Sequence, residues 1–249
     1  MHQQIANATF QVIAGNSCGS GFSFMKEEYV VTNFHVVKNM MNFQTGKQID
    51  YIQLRSENDE ILLADIVTMD AENDFAVLKL KTTLSAGREV LQPSDCFKPV
   101  RGKRLIFSGF PHGDPDLLTH EAILSAPLET HKFYLDGMVN GGNSGGPIVD
   151  PDDGRVVGIV TKRRYPGWEA ADAIASHAKE LAQALQSSRV SMSIGGIDFT
   201  RMNQMYAESL NVIVNMLNMN ANSGIGLGFP IFPAVEAVEQ LKKTFLTKF

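Results

Sequence analysis

The sequence predicts an all-β body interrupted by a mostly helical segment, and three observations carry that prediction. Between Thr9 and Thr161 the apolar residues fall in short runs rich in Val, Ile, Phe and Leu, bounded by Gly, Asn, Asp or Pro. The gaps between these runs are too short for the crossover helices that a parallel sheet needs. After Tyr165 the apolar spacing changes to steps of three and four.

Taken in order, Thr9–Ala14, Gly21–Phe24, Tyr29–Thr32, Tyr51–Arg55, Ile61–Met69, Ala76–Leu80, Arg104–Phe110 and Val156–Thr161 read as strands. Many short strands at this spacing indicate a sandwich or a barrel. Lys162-Arg163-Arg164 reads as a solvated turn. From Trp168 to Gln186, residues Trp168, Ala171, Ile174, Ala178, Leu181 and Leu185 form one stripe, while Glu169, Asp172, Glu180 and Gln183 fall elsewhere, which describes an amphipathic helix. Thr200–Met219 repeats the pattern with Met202, Met205, Tyr206, Leu210, Ile213, Met216 and Leu217. Core filling is the default reading of this Met-rich stripe, and an adaptable binding surface is the sharper one. Arg189–Ile194 alternates like a short strand and stops at Gly195-Gly196. Strand-like sequence returns at Gly224–Ile231, and Ala234–Phe245 follows Pro233 as a last helix.

Composition excludes several function classes. With 44% apolar and 20% charged residues, the 249-residue chain is neither disordered nor collagen-like. A net charge of −5, with no basic run longer than Lys162–Arg164, excludes a nucleic-acid footprint. Cys18 and Cys96 are too few for a disulfide framework and read as reduced, half-buried thiols. His112, His120 and His131 sit at no i,i+4 spacing and no cysteine joins them, so no metal is expected. No Lys or Arg precedes Lys26, which does not describe a signal peptide. The longest uncharged stretch, Ser209–Val235, carries five asparagines and is a poor membrane span. A cytoplasmic protein is therefore expected, although signal-independent secretion would leave the same sequence.

Three segments carry chemistry. Val30–Val37 runs a strand into His35, Asn73–Leu80 opens an apolar strand with Asp74, and Gly141-Gly142-Asn143-Ser144-Gly145-Gly146-Pro147 sets a serine in a glycine-rich turn. A serine hydroxyl needs a base, imidazole serves at neutral pH, and the imidazole needs a carboxylate to set its tautomer. Asp65 and Asp70 rival Asp74 on spacing alone. Glycines allow a tight turn whose amides converge on one point, where one donor is worth about 3 kcal/mol of barrier.

In these segments the chain resembles trypsin-like (chymotrypsin-fold) serine peptidases, closest to the Deg/HtrA branch. The likeness lies in Gly19-Ser20-Gly21-Phe22 with Val31–Val37, in Asp74-Phe75-Ala76-Val77-Leu78, in Gly142–Pro147 with Gly154–Ile159, and in Gly224–Pro230. It covers about residues 9–161 and 223–245. The order His, Asp, Ser is also that of chymotrypsin.

The resemblance implies two six-stranded antiparallel β-barrels, one over residues 1–103 and one over 104–161 with 223–249, the latter including a terminal helix. Residues 162–222 are a helical insertion where the family has a short loop. It implies a serine endopeptidase acting through an acyl-enzyme on unfolded or partly unfolded polypeptides, with no cofactor. His35 is the expected base, Asp74 the orienter, Ser144 the nucleophile, and the amides of Gly142, Asn143 and Ser144 the oxyanion site. Asn143 stands where trypsins keep an aspartate that pairs with a new N-terminus, so activation by N-terminal cleavage is not expected. The expected substrate pocket is Met138 with Gly158, Ile159, Val160 and Thr161. It has no evident carboxylate, which points to cleavage after small or medium apolar residues unless Asp136 turns inward. The Pro111–Pro115 turn is expected as a flexible loop near the site. Within Met1–Phe249 we expect none of the peptide-binding domains that usually follow the protease in this branch. The insertion is expected near the mouth of the site or against a regulatory or oligomer partner. Two other readings stay open, an autoinhibited or non-proteolytic binding module and an esterase.

Overall fold

Short strands that each bury apolar side chains build the first barrel. The computed structural model describes residues 1–129, 131–164, 168–187, 193–194, 197–220 and 224–246. A short helix, α1 (His2–Ala8), leads into β1 (Thr9–Ala14), β2 (Ser17–Phe24) and β3 (Lys26–Thr32). A one-turn helix, α2 (Phe34–Val37), then precedes the small hairpin of β4 (Met41–Asn42) and β5 (Lys47–Gln48). Strands β6 (Ile52–Arg55), β7 (Ile61–Asp70) and β8 (Phe75–Leu80) complete a closed antiparallel barrel in the order β1-β2-β3-β8-β7-β6. Phe10, Val12, Val30, Ile52, Leu54 and Leu78 fill it.

The second barrel contains strands that local patterning does not reveal. Besides β9 (Arg104–Gly109) it has β10 (Leu118–Pro127), β11 (Phe133–Asp136), β12 (Pro147–Val149) and β13 (Val156–Arg164). The insertion follows as α3 (Trp168–Ser187), the strand pair β14 (Ser193–Ile194) and β15 (Ile197–Asp198), and α4 (Phe199–Asn220). The chain returns in β16 (Ile225–Pro230), which closes the barrel in the order β10-β11-β16-β13-β12-β9, and ends the described region with α5 (Phe232–Leu246). Leu105, Phe107, Leu124, Phe133, Leu135 and Val160 form this core.

A third cluster joins the barrels. Phe22, Phe24 and Tyr29 from the first meet Ile106, Val149 and Ile159 from the second, with Ala234 and Val238 of α5 packed against them. Burying a side chain such as Val238 stabilises by about 1.5–3 kcal/mol. Residues 1–163 with 224–249 form one compact unit and residues 164–223 another.

Several local expectations need correction. Lys162–Arg164 is strand, because β13 continues through it. The amphipathic stripes of α3 and α4 do not all become core. The two helices pack on each other around Ala182, Ala207 and Val214, and Ile174, Leu181, Met205, Tyr206 and Ile213 are exposed. The strand expected at Arg189–Ile194 is described only at Ser193–Ile194. Arg189–Met192 and Gly195-Gly196 lie outside the described residues. Among the described residues no helix is long and apolar enough to cross a membrane.

Candidate active site

Sheet register brings His35 and Asp74 together. Thr32, the last residue of β3, pairs with Ala76 of β8, so the chain leaving one strand runs beside the chain entering the other. Asp74 sits at φ 47, a left-handed conformation that aspartate tolerates better than most residues, and it is buried. Its Oδ2 lies 2.8 Å from His35 Nδ1, and its Oδ1 accepts the His35 main-chain N–H at 3.0 Å. The carboxylate therefore grips both ring and backbone. An ionised carboxylate only accepts, so the proton of neutral His35 is on Nδ1 and Nε2 is left as the basic nitrogen. Asn33, fully buried, donates from Nδ2 to the Asp74 carbonyl at 2.6 Å and holds that residue from behind.

Ser144 stands in the loop between β11 and β12, and this loop is pinned carbonyl by carbonyl. Gly141 O accepts from His112 N at 2.5 Å, and Asn143 O accepts from Gly146 N at 3.0 Å. Gly142 O accepts from Ser20 Oγ at 2.7 Å, and Ser144 O from Ser20 N at 2.7 Å. In a planar trans peptide the N–H points opposite to the C=O. The amides of Gly142 and Ser144 thus face away from the groups that hold Gly141 O and Asn143 O. Among the described residues neither amide has a partner. The Asn143 amide donates to Asn140 O at 3.2 Å, so the free donor pair is Gly142 with Ser144. Gly142 has φ +93, and a methyl group there would lie 2.2 Å from Phe110 O, so this position requires glycine. The turn at Pro111–Gly113 packs on Gly142 and, through His112 N, helps hold the loop.

The serine hydroxyl is engaged by a main-chain carbonyl. Ser144 Oγ donates to Thr161 O at 2.9 Å, and among the described residues it makes no hydrogen bond to His35.

The expected pocket residues divide. Met138 is 56% exposed. Ile159 belongs to the cluster between the barrels and Val160 to the second barrel's core, so these two side chains do not line an open pocket. A methyl group on Gly158 would meet Phe229 O at 2.5 Å, which shows how closely β13 and β16 pack there. Thr161 is buried and offers its carbonyl. Phe133 and Leu135 point into the barrel, so strand alternation places Asp136 outside, where it is exposed. Among the described residues no group of three His, Cys, Asp or Glu side chains gathers as a metal site.

Comparison with known proteins agrees with this architecture. The trypsin-like peptidase domain model matches residues 19–159. The chain is 31% identical over 158 residues to the chloroplastic protease Do-like 5 of Arabidopsis thaliana, covering 57% of this chain and 47% of that protein. It is 32% identical over 212 residues to a probable periplasmic serine endoprotease, DegP-like, of Pseudomonas fulva, covering 79% of this chain and 40% of the relative. The chain thus spans less than half the length of these relatives. The crystal structure of the serine endoprotease from Yersinia pestis superposes with a TM-score of 0.61 at 20% identity, covering 97% of this chain and 66% of that one. By fold and by sequence, this chain belongs to the trypsin-like peptidase domain family and is similar to its Deg/HtrA proteases.

Proposed function

We propose that this chain is a serine endopeptidase that hydrolyses peptide bonds through an acyl-enzyme, with Ser144 as nucleophile, His35 as base and Asp74 as orienter. The observation that carries the reading is the 2.8 Å contact between Asp74 and His35 Nδ1, which leaves Nε2 as the proton acceptor. The serine loop supplies the second half. One rotation about the Ser144 Cα–Cβ bond moves Oγ off the Thr161 carbonyl. In the reactive arrangement Oγ meets Nε2, gives up its proton and bonds to the substrate carbonyl carbon. The carbonyl oxygen takes the electron pair and is held by the unpartnered amides of Gly142 and Ser144. His35 then returns the proton to the leaving amine, and water attacks the ester by the same route in reverse.

The substrates in this reading are unfolded or partly unfolded polypeptides cut after small or medium apolar residues. The exposed thioether of Met138 favours an apolar side chain. A lysine or arginine buried without a counter-charge would be costly, and Asp136 is directed away from the barrel interior. Cleavage-site profiling of a denatured proteome with wild type and Ser144→Ala tests both parts. Ala, Val, Leu or Met should dominate before the cut in the Ser144-dependent set. A preference for Lys or Arg would reject the specificity. Equal cleavage by both proteins would reject the nucleophile.

A further inference from the structure

Ser20 belongs to the first barrel, yet its polar atoms are directed to the serine loop of the second. It lies fully buried in β2, paired with Gln11 of β1. Its hydroxyl donates to Gly142 O at 2.7 Å and accepts from Phe110 N at 2.9 Å. Its main-chain N–H donates to Ser144 O, and its own carbonyl is held by Thr32 Oγ1, each at 2.7 Å. One residue thus holds two of the four successive carbonyls from Gly141 to Ser144. A third, Gly141 O, is held by His112, and the turn carrying His112 is itself tied to Ser20 through Phe110 N. The approach is close enough that a methyl group on Gly145 would lie 2.0 Å from Ser20 O.

We propose that Ser20 is a positioning residue for the oxyanion site, its hydroxyl fixing the Gly142–Asn143 peptide plane so that the Gly142 and Ser144 amides converge. This rests on the serine endopeptidase reading above. Gly142 has no side chain to restrict its torsions, and its carbonyl anchor sets the plane that follows it. Removing the hydroxyl frees that plane and leaves the buried Phe110 N–H without a partner. The two donors must meet an oxygen that carries charge only in the transition state. Their misalignment therefore lowers turnover and leaves ground-state substrate binding in place.

The test assays Ser20→Ala and Ser20→Cys in the full chain beside wild type and Ser144→Ala, with a fluorogenic peptide and a peptide boronic acid. For Ser20→Ala we expect kcat to fall about 10- to 100-fold, short of losing both donors, with KM within about twofold of wild type. Boronate affinity should fall with kcat/KM, because the tetrahedral adduct uses the same donors. Ser20→Cys, a weaker donor, should lie between. The midpoint of the pH–rate profile should not move, because His35 and Asp74 are untouched. A folded Ser20→Ala enzyme with wild-type kcat overturns the proposal, and so does a loss expressed equally in KM. Failure of both variants to fold, seen in thermal melts, also overturns it by making Ser20 a determinant of the fold alone. Absence of Ser144-dependent hydrolysis in wild type overturns the endopeptidase reading and this proposal with it. A fully active Ser20→Ala overturns the proposal alone.

Discussion

Ser144 Oγ donates to the carbonyl of Thr161 at 2.9 Å. This resting bond lies in the same compact unit as the His35–Asp74 pair and makes no use of it. The serine is parked on β13, and the imidazole is oriented by its own carboxylate. The proposed mechanism thus has two separate devices, a base set by Asp74 and a nucleophile held in a loop whose carbonyls are pinned.

The first device is tested by Asp74→Asn. An amide of the same shape can donate as well as accept, so it no longer dictates that the His35 proton sits on Nδ1. Turnover should fall about 10⁴-fold while the protein stays folded. Steady-state hydrolysis of a fluorogenic peptide, with circular dichroism as the control for folding, checks this. A variant within tenfold of wild type would remove Asp74 from the mechanism.

Asn33 supports that carboxylate through the main chain, with Nδ2 2.6 Å from Asp74 O. In Asn33→Ala a buried carbonyl loses its partner, at a cost of about 1–3 kcal/mol. Because Asp74 is held in a left-handed conformation, the loss should reach the His35 contact as well. Chemical denaturation should show a lower midpoint, and peptide hydrolysis a lower kcat. Unchanged values of both would mean that β3 and β8 hold Asp74 without help.

Gly142→Ala addresses the second device. The position needs φ +93, and a methyl group would lie 2.2 Å from Phe110 O. The loop must shift, costing on the order of 1–3 kcal/mol and displacing one of the two free amides. The expected result is a lower melting temperature together with loss of peptide hydrolysis. Full activity in this variant would show that the Gly142 amide is not an oxyanion donor.

His120 predicts an acid sensitivity that is independent of catalysis. Its ring stacks on Phe107 with centroids 4.9 Å apart, Nε2 is buried without a partner among the described residues, and burial pushes its pKa below the ordinary histidine value of 6.5. The unfolded chain therefore takes up this proton before the folded chain does. The stability of the neutral ring is complete above about pH 6.5 and is lost as pH falls through the folded value. His120→Phe keeps the stack and removes the proton. Its melting temperature should gain on that of wild type as pH drops from about 7 to 5. A constant difference across that range would reject the assignment.

The pattern of expectations met and missed has a physical cause. His35, Asp74 and Ser144 stand out as candidates because they sit in motifs whose residue types serve one mechanism, and of these the structure brings His35 and Asp74 into contact. Strands β1, β7 and β8 were legible from their apolar runs. Strand β10 was not, because only Ala122 and Leu124 of Leu118–Pro127 are buried, leaving a thin alternating signal. Strand β12 has three residues and begins at a proline, and α1 has seven with no capping side chain, so each depends on its neighbours. The stripes of α3 and α4 state which residues share a face but not what covers that face, hence the exposure of Ile174 and Tyr206. Ser20 was hidden for a different reason. The sequence marks it only as part of the Gly19-Ser20-Gly21-Phe22 likeness, whereas its hydroxyl bonds to a carbonyl 122 positions away.

The most direct measurement is labelling of the wild-type chain with a fluorophosphonate, followed by mass mapping of the adduct, beside peptide hydrolysis by wild type and Ser144→Ala. A nucleophilic role for Ser144 predicts one adduct on Ser144, no adduct in Ser144→Ala, and a fall in turnover on the order of a millionfold in that variant. A wild-type chain that takes no label on Ser144, or a Ser144→Ala variant that still cleaves peptides at the wild-type rate, would contradict it.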